Sequence, residues 1–379
     1  MDRIPLSLYA HFPWCVRKCP YCDFNSHALR GDVPEREYID ALLRDLDFEL
    51  RNAESRPLVS IFLGGGTPSL FSASAIARFL DEAARRLRFA DDVEITLEAN
   101  PGTADESHFR GYRRAGVNRL SLGVQSLNGE KLKMLGRIHD PAAAIRAYRL
   151  ARDAGFDNVN LDLMFALPEQ SPEQARDDLQ QLIALQSEHL SYYHLTLEPN
   201  TEFAARPPRL PDEESAWSMH EEGQLLLAQA GYAQYEVSAF AKPGRQSRHN
   251  LNYWQYGDYV GIGAGAHGKT TRDGKIVRRA RHKHPKNYLE SAGTAAAIQE
   301  DKVISADELP FEFCMNALRL NEGFATADFE VRTGLPAQAL AKPVGAGKAK
   351  GLLDEREGWI VATALGRVHL NAALRLFLP

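Results

Sequence analysis

Three of the chain's four cysteines are spaced Cys15-x3-Cys19-x2-Cys22. Thiolates are soft ligands, and three of them can converge on one metal centre. Pro13 and Pro20 punctuate the segment, so a loop carries the thiols. Three thiolates are one short of the four that close a structural zinc or iron–sulfur site. Such a set leaves one metal position open for a substrate or cofactor. Two other readings use the same residues: cysteines packed as small hydrophobes, or a zinc site completed by His11 or His27. Cys314, between Phe313 and Met315, reads as core packing in a helix.

Other chemistry-bearing groups follow. Gly64-Gly65-Gly66-Thr67-Pro68 closes an apolar run, and its glycines let backbone approach a ligand. No Lys-Ser/Thr follows at the required spacing, so it is not a P-loop. Glu98, Gln125 and Asp162 fall at the expected carboxyl ends of successive strands. Arg137 could pair a carboxylate through its planar fork. His249-Asn250-x-x-Tyr253-Trp254 sets an imidazole beside two aromatic rings. That suits a planar macrocycle, but a packed, hydrogen-bonded histidine would look the same. Gly261 to Gly268 imitates a dinucleotide fingerprint, yet the polar, turn-like Lys269 to Gly274 argues against nicotinamide binding. His267 in this run could face the site or be structural. The basic run Arg278 to His284 reads as a solvated face, with pairing to an anionic cargo or partner as the alternative.

The elements that must position these groups alternate. Strands are expected at Leu6–Phe12, Val59–Leu63, Val93–Leu97, Arg119–Val124, Val159–Leu163 and Leu190–Leu197. Amphipathic helices are expected at Glu35–Leu50, Ser74–Leu87, Asp105–Arg114 and Pro141–Ala154. Another opens at the capping box Ser171-Pro172-Glu173-Gln174 and runs to about Leu185. Six such units imply a parallel sheet, either doubly wound or a complete or partial (β/α) barrel. A further helix spans Asp212–Gly231, and residues 235–302 read as mixed. From about residue 303 the segments shorten: helices near 306–320 and 325–333, a Gly/Lys-rich piece at 345–351, a turn and strand at 357–361, and a last helix near 363–376. That order suits a small winged-helix-like domain.

Length and composition bound the rest. The 379 residues are 44% hydrophobic and 25% charged, with a net charge of −5. This describes a globular protein of two or three domains. It argues against a dedicated nucleic-acid coat. The N-terminus lacks a signal-peptide pattern, and no apolar run approaches a membrane span. A cytoplasmic setting with reduced thiols is the expectation.

The cysteine spacing resembles the signature of the radical S-adenosylmethionine (SAM) superfamily. That resemblance implies a [4Fe–4S] cluster on Cys15, Cys19 and Cys22, SAM on the fourth iron, and a full or partial (β/α) barrel. Within the superfamily the chain is similar to the oxygen-independent coproporphyrinogen III oxidase branch. Tyr9-x-His11-Phe12-Pro13, the cysteines, Gly64–Pro68, Leu122-Gly123-Val124-Gln125-Ser126 and Asp162-Leu163 carry the likeness, in that order. It implies SAM contacts from Tyr9, Tyr21, Gly65, Gly66, Thr67, Glu98, Gln125, Arg137 and Asp162. The decarboxylases of the branch look like Cys-x3-Cys-x2-Cys-x-Cys, whereas Phe24 stands here at the last position. They also carry an N-terminal extension, for which a first cysteine at residue 15 leaves no room. Together with the His249 motif, these departures resemble a haem-chaperone subgroup.

The resemblance therefore implies haem as cargo, with His249, Asn250, Tyr253 and Trp254 as contacts. It also implies haem-accepting partner proteins, chiefly respiratory, and allows a homodimer. The expected fold is a partial (β/α)6 barrel over residues 1–302 with a small winged-helix-like domain over 303–379. The alternative function is a radical SAM oxidoreductase acting on coproporphyrinogen III or another porphyrin-related substrate.

Overall fold

The computed structural model describes residues 4–51, 56–103 and 105–379. Six strands run parallel and follow one another in space: β1 (Leu6–Phe12), β2 (Leu58–Gly65), β3 (Phe89–Ala99), β4 (Arg119–Gln125), β5 (Val159–Phe165) and β6 (His189–His194). β1 and β5 are buried along nearly their whole length, as parallel strands covered on both faces must be. Helices α1 (Glu35–Leu50), α2 (Ala73–Arg86), α3 (Glu106–Arg114), α4 (Pro141–Asp153) and α5 (Pro172–Ile183) form the crossovers. Each expected strand and helix of this region is present, with ends shifted by a few residues. At the start of α5 the Ser171 hydroxyl accepts from the Gln174 amide, and the Gln174 side chain accepts from the Ser171 amide. These bonds satisfy two otherwise orphaned donors. Helix α6 (Glu213–Gln229) follows the sixth strand.

The region read as mixed contains more order than its sequence shows. It forms β7 (Ala233–Gln234), β8 (Ala239–Ala241), helix α7 (Arg248–Trp254), β9 (Asp258–Ile262), β10 (His267–Arg272), β11 (Lys275–Arg281) and β12 (Ile298–Val303). The resulting 12-stranded sheet runs β12-β11-β10-β9-β1-β2-β3-β4-β5-β6-β8-β7. β9 joins β1 in parallel, and the additions beyond β9 and β6 are antiparallel. The two ends of this order do not pair, so the barrel is partial. The periodic signal failed here because the strands are short or strongly charged.

The basic run is corrected on the same ground. Most of it lies in β11, where Arg281 is buried and Arg278 and Arg279 are half-buried, each paired with acids. Arg281 is 1% exposed and pairs with Asp45 and Glu49 of α1. Arg279 pairs with Glu49 and Asp301, and Arg278 with Glu312. Buried charges of this kind must be paired. Only His282, Lys283 and His284 lie beyond the strand.

The C-terminal segment runs α8 (Leu309–Ala317), β13 (Phe324–Ala325), α9 (Thr326–Thr333), α10 (Ala341–Ala349), β14 (Leu353–Arg356) and β15 (Trp359–Ala362). Its sheet order is β13-β15-β14, the helix and strand succession of a winged helix. The Gly/Lys-rich piece is largely helical, and Gly347 lets α10 pack on Leu353. The last helix is broken at His369 into two short pieces. Cys314 is fully buried in a core with Phe313, Phe324 and Phe329.

Candidate functional site

The carboxyl ends of the parallel strands open into a cavity of about 420 Å³. Ligands bind at this end in barrels of parallel strands. β1 delivers the cysteine loop to the rim. The loop's base is fixed by a two-residue bridge of Trp14–Cys15 with His27–Ala28. The amide of Cys22 donates to the Cys19 carbonyl at 3.1 Å, which turns the loop back on itself. Cys15, Cys19 and Cys22 are free thiols, half-buried, and all line the cavity.

The glycine turn after β2 is bonded directly to this loop. The Gly66 amide donates to the Phe12 carbonyl and the Thr67 amide to the Trp14 carbonyl, each at 2.7 Å. Gly65 has φ +113°, and a Cβ there would strike the His11 ring at 2.4 Å. Only glycine satisfies both conditions. The Thr67 hydroxyl points at the Cys15 sulfur, 3.4 Å away.

Glu98, near the end of β3, accepts from the Gly65 amide at 2.9 Å. Burial pushes its carboxyl up to about 7. Gln125 ends β4 with φ 69° and accepts from the Tyr193 hydroxyl at 2.6 Å. Arg137 donates to the Gly123 carbonyl at 2.6 Å and lies 3.8 Å from the Cys19 sulfur, while its Nε is buried without a hydrogen-bond partner. Asp162 accepts from Asn160 at 2.8 Å, and burial raises its carboxyl above the ordinary range. All four line the cavity with Gly65, Gly66, Thr67 and Tyr21. Arg119, Asn160, His189 and Ser191 reach it from below. Sequence reading missed these four. Their signal was a polar or charged residue inside strands that are otherwise apolar.

Tyr9 lies outside the cavity wall. Its hydroxyl bonds His11 Nδ1 at 2.9 Å, and its ring stacks on Phe62 and His249. His11 Nε2 bonds the Asn25 carbonyl at 2.8 Å, so both ring nitrogens are occupied and neither is free for zinc.

The His249 motif forms α7, which closes the barrel interior from beneath. His249 is 1% exposed and stacks on Phe62 at 4.8 Å. Its Nδ1 bonds the Ser60 hydroxyl at 2.9 Å, and its Nε2 is buried without a partner. Burial pushes its pKa down to about 3, so the ring is neutral. Tyr253 packs edge-on against His249 at 4.6 Å, and Trp254 lies under the Arg319 guanidinium at 4.3 Å. Asn250 alone of the four lines the cavity. The motif is thus brought near the other site residues but faces mainly inward.

The donor set suits a three-thiolate cluster site. Three free sulfurs share one cavity with a close-approach glycine turn, ionisable carboxyls and a guanidinium. No other protein thiol lines that cavity among the described residues.

Comparison with known proteins places this geometry. Residues 9–182 match the Radical SAM superfamily, and residues 304–369 match the HemN C-terminal domain. The Escherichia coli protein named "Heme chaperone HemW" is 50% identical over 375 residues, covering 99% of this chain and 98% of that one. The Haemophilus influenzae protein of the same name is 50% identical over 380 residues, covering 99% and 98%. That of Mycobacterium tuberculosis is 34% identical over 385 residues, covering 100% and 96%. The solved coproporphyrinogen III oxidase (HemN) of Escherichia coli superposes with a TM-score of 0.84 over 100% of this chain and 91% of that one. At 24% identity this last likeness speaks for the fold alone. With a full-length match at half identity and the cysteine loop, glycine turn and C-terminal domain in place, the chain belongs to the HemW family of the radical SAM superfamily.

Proposed function

We propose that this protein is a haem chaperone that carries a SAM-binding [4Fe–4S] cluster and passes haem to haem proteins. The full-length match to proteins named "Heme chaperone HemW" carries the reading. Phe24, where the decarboxylases carry a fourth cysteine, supports it.

Cys15, Cys19 and Cys22 hold the cluster in this reading, and the Arg137 guanidinium beside Cys19 offsets thiolate charge. Backbone at Gly65, Gly66 and Thr67 meets SAM, and Glu98 faces its amino group. Gln125, Arg137 and Asp162 bind the methionine and ribose oxygens, with Tyr21 beside Arg137, while Tyr9 supports the wall from behind through His11 and Phe62. When bound, the cluster and SAM supply one-electron chemistry at the cavity. His249, Asn250, Tyr253 and Trp254 form the inner wall. Asn250 reaches the cavity directly, and His249 could offer Nε2 to cargo only after α7 moves. The recipients are haem proteins, chiefly respiratory, met in the cytoplasm by a monomer or homodimer. Residues 303–379 act as a separate folding unit.

Anaerobic, cluster-reconstituted protein tests the proposal. Haem titration is expected to give a stoichiometric Soret band, and Cys19→Ala to lose the cluster's brown absorbance. Absence of a Soret band from the wild-type protein would overturn the chaperone reading. The competing reading is a radical SAM oxidoreductase, favoured by the HemN-like fold and the intact cavity. It predicts conversion of coproporphyrinogen III under reducing, anaerobic conditions.

A further inference from the structure

The buried His249 motif leaves open where a haem would rest on the molecule as it stands. A haem presents three chemistries: a flat apolar macrocycle, two propionates, and an iron that takes a neutral imidazole. The outer face of the cysteine loop gathers groups suited to all three.

Phe24 and Val16 are 58% and 48% exposed, although both are large and apolar. Both line the cavity and are exposed, so each offers apolar surface at its mouth. Cations flank it. Lys18 is exposed and donates to the Phe24 carbonyl at 3.2 Å. Lys283, exposed at the end of the basic run, offers its carbonyl to the Asn25 amide at 2.8 Å and so lies across the loop's far side. Asp23 is the exposed acid beside them.

Imidazoles complete the surface. His27 Nε2 faces the Asn25 side-chain oxygen at 3.2 Å and the Lys283 carbonyl at 3.3 Å. Both are acceptors, so Nε2 carries the proton and Nδ1 keeps its lone pair. The His284 ring stands 5.6 Å from the His27 ring, but its Nδ1 is engaged with the Lys286 amide as a helix cap. The His267 side chain is exposed, stands among Lys283, Glu300 and Arg278, and makes no side-chain hydrogen bond among the described residues.

We propose that haem cargo docks on this outer face: the macrocycle on Phe24 and Val16, the propionates on Lys18 and Lys283, and the iron on the imidazole of His27 or His267. The site rests on the haem-chaperone reading and gives it a location outside the barrel. Iron ligation here exchanges a water for a neutral imidazole and changes no oxidation state.

Ferric haem and iron-free protoporphyrin IX, titrated into full-length, cluster-loaded protein, test it. The paired change Lys18→Glu with Lys283→Glu alters only exposed side chains and leaves the buried cores untouched. It is expected to raise the Kd of both ligands about tenfold, as the loss of two charge-assisted contacts would. His27→Ala with His267→Ala is expected to remove the histidine-ligated Soret and spin-state signature of haem while leaving protoporphyrin binding within about twofold. Far-UV circular dichroism and cluster absorbance check the fold of each variant. The proposal is overturned if both pairs bind haem as the wild type does, or if His249→Gln alone abolishes the signature. Either result leaves the chaperone reading standing, because the wild type still binds haem. Failure of the wild type to bind haem overturns both.

Discussion

Glu98 shows how a single buried carboxyl can set a pH dependence. An unfolded glutamate ionises near 4.5, whereas burial holds Glu98 up to about 7. The folded state therefore keeps a proton that the unfolded state has already lost. Its stability falls as pH rises from about 4.5 to 7, by roughly 3 kcal/mol at most, and is flat above that window as far as this residue is concerned. Glu98→Gln keeps an oxygen for the Gly65 amide and removes the titration. Urea unfolding of both proteins across this range should show wild-type stability declining relative to the variant; parallel curves would refute the assignment. Residues of this kind were legible in sequence because the six strands were legible, and a polar residue at a strand's carboxyl end stands out. Tyr193 and Arg119 were not, because their roles depend on partners from other strands. His249 was legible as a motif but not as a buried ring.

Helices and strands were legible to different degrees, for a physical reason. α1, α2 and α4 bury apolar stripes, so periodicity finds them. β10 and β11 are carried by Lys, Arg and Thr, and their burial rests on ion pairs that no periodicity reveals. The cluster of Arg281 with Asp45 and Glu49 clamps β11 to α1. Tyr288 also donates to Asp45 at 2.9 Å. Asp45→Ala leaves the buried Arg281 with Glu49 alone and Tyr288 without its acceptor, and is expected to cost about 3 kcal/mol, read from denaturant midpoints. At α5 the Ser171→Ala change removes a cap and should cost about 1 kcal/mol by the same assay.

The described residues form two principal apolar cores, one under the parallel sheet and one in the C-terminal segment. Phe313 centres the second. It meets Phe324, Phe329 and Tyr256 with ring centroids 4.9, 5.2 and 5.4 Å away. Phe313→Ala should cost about 3–5 kcal/mol through the cavity it leaves. Calorimetry should show that loss as a lower-melting C-terminal transition, with the transition of the parallel sheet little moved. A uniform drop would mean that the two cores unfold together, through contacts such as Arg278–Glu312 and Arg319–Glu236. The parallel sheet was legible because strand–helix alternation implies one, but the choice of a partial barrel over a doubly wound sheet came from the family resemblance, since periodicity fits both. The closing strands and α7 were not, since they complete a sheet that only tertiary pairing defines.

The amides of Gly66 and Thr67 are tied to the carbonyls of Phe12 and Trp14, on the strand and turn that launch the cysteine loop. The two segments cannot part without breaking those bonds. Solvent deuterium should therefore enter these amides slowly while the loop is intact. Oxidation or alkylation of the cysteines should speed its entry there before the sheet beneath loosens. Two backbone protons would then gauge damage to the thiols without reference to colour or turnover.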